Sequence, residues 1–291
     1  MRTVVANLRE MAEEIEKLLE DLLLNHSSIY DMSEPGEGFV IVSQYGHYAY
    51  QDMGDSGRQV QSRVLDDYRH FYALLSVLLS GQPKDTLEKL SEADDVVIRT
   101  IEQQSTWEKE THTALSKAVT ALQSQVDRLK HLYNFSAGEC IYVPDTNALL
   151  YNPAIESWTF GSQERLRLIL VPTVLSELDS LKINHRNETV RQKAELLIRK
   201  IKEYRRRGNL TKGVPIVTGR TELLAVATEP RMDKSLPWLD PQNNDDRFLA
   251  AVLEVMRTCP WSPVTVVTRD INLQNKAEFA RIPFVEPPEQ L

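Results

Sequence analysis

The sequence predicts an α/β domain over residues 139–291, with a central parallel sheet covered by helices on both faces. A mainly α-helical domain over residues 1–134 precedes it. Three observations carry this. After Glu139, short runs of apolar, largely β-branched residues alternate with helical stretches, as in a sheet buried on both faces. Before it, apolar residues recur at three- and four-residue spacing. Charge divides at the same place: residues 1–138 hold 13 Lys and Arg against 22 Asp and Glu, and residues 139–291 hold 21 against 20.

In the N-terminal half, Val4, Leu8, Met11, Ile15, Leu18, Leu19 and Leu22 line one face of a helix over 3–24. The stretch from Asp31 to Gly57 is glycine-bearing, and FVIVS at 39–43 within it reads as a short strand or a buried loop. Tyr45, Tyr48 and Tyr50 crowd the same stretch without an assignable chemistry. Helix resumes near Val60 and stops at Leu79, before Gly81 and Pro83. From Asp85 to Tyr133 no Gly or Pro interrupts the chain, which predicts a long helix. Leu115, Val119, Leu122, Val126, Leu129 and Tyr133 form a heptad seam there. That seam either packs on its own domain or joins two copies. The negative charge of this half points to a protein partner or a homo-oligomer through the N-terminal helices, not to nucleic acid.

In the C-terminal half, CIYV at 140–143, LRLILV at 166–171, VPIV at 214–217 and VTVV at 264–267 read as the strands. Helices are expected over 173–181, 188–207, 245–258 and 272–279. Right-handed crossovers then bring every strand's C-terminal end to one edge, where ligand chemistry gathers in open α/β sheets.

Acidic residues mark that edge. Asp145 follows the first strand, in VPDTN, and Asp270 follows the fourth, in VVTRD. Glu177 lies early in the helix after the second strand, in PTVLSELD, and Asp245 and Asp246 open the helix in NNDDRFLAAVL. Taken singly, each is a helix cap or a solvated surface group; Asp145 and Asp245 both suit a cap. Taken together, they repel one another, by ~4 kcal/mol for a pair about 4 Å apart at an effective dielectric of 20. Arg247 and Arg269 are adjacent in sequence, but no Lys or Arg stands at the strand ends as a neutraliser. A divalent cation resolves the conflict, and an oxygen-only ligand set favours Mg²⁺ or Mn²⁺. A cation held this way activates water and stabilises charge on a phosphodiester.

The segment 139–288 resembles the PIN domain family through four ordered motifs, VPDTNALL, PTVLSELDSLK, NNDDRFLAAVL and VVTRDINLQNKA. The Asn-Asn-Asp-Asp form is closest to the PIN domains of the nonsense-mediated-decay and exosome endonucleases. The resemblance implies an endoribonuclease preferring single-stranded RNA, using Mg²⁺ or Mn²⁺, in RNA turnover or as a toxin or defence effector. It implies that Asp145, Glu177, Asp246 and Asp270 are the catalytic metal ligands. Asp246 is chosen over Asp245 because its spacing to Leu249 suits the family. Asn147, Asn244, Asp245 and Thr268 become supporting groups. A structure-specific DNA nuclease and an RNA-binding scaffold without catalysis are the alternative readings.

Residues 182–212 hold 11 Lys and Arg against 3 Glu, which suits phosphate contacts from Lys182, Arg186, Arg205, Arg206 and Arg207. The same charges also fit a solvated helix face. His185 reads as a surface histidine, with a general acid or a phosphate contact as the functional alternatives. Trp158, Trp238 and Trp261 read as packing residues or base-stacking platforms. Cys140 and Cys259 lie outside any zinc or disulfide pattern. No stretch approaches the ~20 apolar residues that span a bilayer. The N-terminus has no signal-peptide pattern, so the cytoplasm is the expected location.

Overall fold

The computed structural model describes residues 2–32, 47–132, 139–161 and 165–289. Two units separate within it, Val5–Leu132 and Tyr133–Leu291 with Met1–Val4. FVIVS, Tyr45 and Tyr133 lie outside the described residues.

Apolar spacing dictates the first unit. Its helices are α1 (Val4–Asn25), α2 (Asp55–Leu79), α3 (Lys84–Ile101) and α4 (Thr111–Asp127), and strands β1 (Ile29–Asp31) and β2 (Tyr48–Tyr50) form an antiparallel ribbon between α1 and α2 in chain order. Leu8, Ile15, Leu19 and Leu22 of α1 are buried, as are Phe71, Leu75 and Leu78 of α2. The uninterrupted helix expected from Asp85 is broken over residues 102–110. Gln103 takes a left-handed backbone, φ 54°, which a helix cannot continue through. In the heptad seam, Leu115, Leu122, Val126 and Leu129 are buried within this single chain. Val119 of the same seam is half-buried.

A polar network sits in that core. The Tyr68 hydroxyl donates to Asp94 Oδ1 at 2.9 Å, and the fully buried Gln125 donates from Nε2 to Tyr68 Oη at 2.8 Å. Tyr68→Phe strands the Gln125 amide in an apolar core. We expect a loss of about 1–3 kcal/mol in urea denaturation, the usual cost of a buried unpaired donor. A loss under about 0.5 kcal/mol would show that the network carries no stability.

The second unit is the α/β domain. Its strands are β3 (Cys140–Pro144), β4 (Leu166–Leu170), β5 (Val214–Val217), β6 (Thr221–Ala225), β7 (Val264–Val267) and β8 (Phe284–Val285), in the order β5-β6-β4-β3-β7-β8. The central strands β3 and β7 are buried at every position, as their unbroken apolar runs require. Arg167 of β4 stands opposite Glu222 of β6 and pairs with it at 2.7 Å. The helices are α5 (Thr146–Tyr151), α6 (Pro172–Asn184), α7 (Glu188–Arg207), α8 (Asn244–Thr258) and α9 (Ile271–Phe279).

One strand departs from expectation. VPIV is β5, an edge strand antiparallel to β6. The parallel neighbour of β4 is β6, TELLA, which the apolar pattern did not single out. Pro215 lacks an N–H and so keeps β5 at an edge. Gly219, at φ 73°, closes the tight connection between the two. β3, β4, β6, β7 and β8 run parallel, so their C-terminal ends share one edge.

Candidate active site

Asp145 is the first residue past β3. Its side chain caps α5, accepting from the Ala148 N–H at 2.6 Å through Oδ1. Its other oxygen, Oδ2, accepts from the Thr268 hydroxyl at 2.6 Å, just past β7. Thr268 Oγ1 in turn accepts from the Asp270 N–H at 3.0 Å. One hydroxyl thus ties the ends of two neighbouring strands together. Asp270 caps α9, accepting from Asn272 N–H at 2.8 Å and Leu273 N–H at 3.3 Å. Both aspartates are therefore helix caps, and both also face the shared edge. The two roles are compatible.

α6 supplies Glu177, whose Oε2 accepts from the Thr146 hydroxyl at 2.5 Å. Asp145, Thr146, Asn147, Glu177, Asn244 and Asp245 line one open cavity of about 390 Å³. Burial pushes the Asp145 carboxyl up to about 6, the Asp270 and Glu177 charges push the same way, and the bonds from Thr268 and Ala148 oppose them. Burial likewise raises Asp245, helped by the charges of Asp270 and Asp246 and opposed by Lys276. Carboxylates just past β3, within α6, at the start of α8 and at the cap of α9 thus act on one another.

Asp245 and Asp246 have different surroundings. Asn243, not Asp245, caps α8; its side chain accepts from the N–H groups of Asp245 at 2.9 Å and Asp246 at 3.3 Å. That cap places Asp246 in the third helical position, where an acidic side chain folds back toward the preceding loop. Its Oδ2 accepts from the Asp240 N–H at 3.0 Å, and its Oδ1 pairs with Lys276 Nζ at 2.6 Å. Asp246 is buried and does not line the cavity, whereas Asp245 does.

Lys276 is the residue that sequence reasoning missed. It sits on α9 and reaches Asp246 at 2.6 Å and Asp245 at 3.8 Å. The two arginines adjacent to the acidic motifs serve elsewhere. Arg247 pairs with Glu229 at 2.8 Å, and the Arg269 guanidinium lies 3.9 Å over the Tyr151 ring. Among the described residues no group of three or more Asp, Glu, His or Cys is drawn together closely enough to make a ready cation cage. The carboxylates rest instead on their hydroxyl and amide partners. The donor set is nonetheless all oxygen, and a buried aspartate whose carboxyl is pushed up by burial and by two further carboxylates suits a hard divalent cation.

Of the basic candidates, Lys182 lies in the last turn of α6, and Arg186 is exposed just beyond it. Arg205, Arg206 and Arg207 end α7 exposed, Arg207 held by Glu203 at 2.6 Å. His185 accepts from the Asn187 N–H at 3.1 Å through Nδ1 and so shapes the α6–α7 turn. Trp158 is fully buried and donates to the Asn152 carbonyl at 3.1 Å, a core residue. Trp238 is half-buried against Phe279. No helix among the described residues is long and apolar enough to cross a membrane.

The profile of the PIN domain family matches residues 142–286, from within β3 to just past β8. No curated protein matches the chain.

Proposed function

Since the C-terminal half of this chain belongs to the PIN domain family, a family of nucleases, we propose that the protein is a metal-dependent endoribonuclease acting on single-stranded RNA. The observation that carries the reading is Asp145, a buried carboxylate raised to about 6 and facing Glu177 and Asp270 at the rim of an open cavity. We assign Asp145, Asp245, Asp270 and Glu177 as the groups that would hold Mg²⁺ or Mn²⁺. A divalent cation bound there supplies an activated water and charge stabilisation for the phosphodiester.

The remaining residues prepare that site. Thr268 holds Asp145 and Asp270 in mutual register, and Thr146 holds Glu177. Lys276 neutralises Asp246, which braces the loop before α8 through Asp240 N–H. Asn147 and Asn244 line the cavity with neutral polar groups that suit sugar or phosphate oxygens. Lys182, directly after the cavity residue Leu181, and Arg186, just past the end of α6, stand ready for flanking phosphates.

The test is a cleavage assay with the full chain. Labelled single-stranded RNA, the matching DNA and a branched DNA are each incubated with Mg²⁺, Mn²⁺ or EDTA. We expect RNA to be cut with either cation and to survive in EDTA. Cutting of the branched DNA alone would move the assignment to a structure-specific DNA nuclease. RNA binding without cleavage in any condition would leave an RNA-binding scaffold.

A further inference from the structure

A second cavity, about 770 Å³, opens at the same sheet edge on the opposite face of α6. The helix is the wall between the two. Val174, Glu177 and Leu181 face the acidic cavity, whereas Pro172, Leu175, Ser176 and Asp179 face the larger one. Each set follows the spacing of one helical face. Val226 and Ala227, just past β6, close the larger cavity's base.

Resting on the ribonuclease reading, we propose that this second cavity is a subsite for a nucleotide flanking the bond that is cut. Its interior is apolar, formed by Leu175, Ile198, Ile201 and Leu210, which suits the face of a base. Its rim carries Ser176, Asn209 and Thr211, donors and acceptors for a base edge. Lys202 and Arg205 also line it; both are exposed, and neither forms an ion pair among the described residues. They outnumber the single lining carboxylate, Asp179, which gives the rim a net positive charge fitted to a phosphodiester. The volume lies within the roughly 300–1,000 Å³ of small-ligand sites. A helix with its side chains is about 10–12 Å across, a wall that a few nucleotides of single strand can cross. One strand then occupies both cavities, its scissile phosphate over the acidic one.

The experiment is equilibrium binding of a fluorescent 12-nucleotide single-stranded RNA to the full chain in EDTA. Three proteins are compared: the unaltered chain, Ser176→Trp, which fills the cavity, and the Lys202→Ala/Arg205→Ala pair, which removes its cations. We expect both variants to bind about tenfold more weakly at unchanged melting temperature. RNA carrying 4-thiouridine should crosslink within residues 172–179 or 198–211. Unchanged affinity in both variants, with RNA cleavage retained, overturns the subsite and leaves the ribonuclease reading standing. Neither binding nor cleavage of RNA by the unaltered chain overturns both. Binding of a nucleoside monophosphate as tight as that of the 12-mer, lost in the variants, assigns the cavity to a free nucleotide and also overturns the proposal.

Discussion

Asp145→Asn is expected to lower RNA cleavage more than a thousandfold and, in EDTA at pH 7, to stabilise the fold. The first effect follows from removing a charged ligand at the centre of the site; a thousandfold corresponds to about 4 kcal/mol of transition-state stabilisation. The second follows from the titration. Burial raises the Asp145 carboxyl from 3.8 to about 6 in the folded chain. Its neutral form therefore favours the fold. That contribution is complete below about pH 4 and is lost as pH rises through about 6. By pH 7 the charged side chain costs about 3 kcal/mol relative to acid conditions, since each tenfold weakening of an acid on folding is worth about 1.4 kcal/mol. Asparagine keeps the cap on Ala148 N–H, since Asn and Asp cap equally well, and carries no charge to desolvate. Urea denaturation at pH 4 and pH 7 checks this. The unaltered protein should weaken between the two pH values and the variant should weaken less, while Mn²⁺ at pH 7 should stabilise only the unaltered protein. Identical pH dependence in both would disprove the account.

The adjacent aspartates should separate cleanly. Asp245→Asn is expected to reduce cleavage at least a hundredfold while changing stability by less than about 0.5 kcal/mol, as for a half-exposed polar position. Lys276→Met should do the reverse in kind. It leaves the buried Asp246 without its partner at 2.6 Å, and an uncompensated buried charge costs about 3 kcal/mol. Adding Asp246→Asn to Lys276→Met should recover part of that loss, because the stranded charge is gone. Denaturation and steady-state cleavage of these three variants, of Asp246→Asn alone and of the unaltered chain decide it. If Asp246→Asn alone removes activity at full stability, Asp246 rather than Asp245 faces the substrate.

Most of the α/β domain was legible because its strands are local and emphatic. CIYV, LRLIL and VTVV lie where their apolar runs put them. β6 escaped because TELLA is built of helix-favouring Glu, Leu and Ala, and only its neighbours β4 and β5 make it a strand. Pro215 was the available sign that VPIV sat at an edge. In the N-terminal unit, the break after α3 turns on a non-glycine residue in a left-handed conformation, which no composition announces.

The candidate carboxylates can be located along the sequence, but their hydrogen-bond and charge partners cannot. Asp145, Glu177 and Asp270 each follow a strand that the pattern reveals. The choice between Asp245 and Asp246 depends on where α8 starts to within one residue, and one residue turns a side chain by about 100°. Lys276 lies six positions past Asp270 and reaches α8 only because α9 carries it there. Its thirty-residue separation from Asp246 along the chain hides that pairing.

The two ends of the sheet carry a consequence of their own. β5 ends it with Pro215 and a register shift, and β8 ends it after two residues. An open sheet normally presents a row of unpaired amides that recruits strands from other molecules. Here one border is interrupted and the other is too short to template anything. Strand addition between copies along this six-stranded sheet is thereby discouraged.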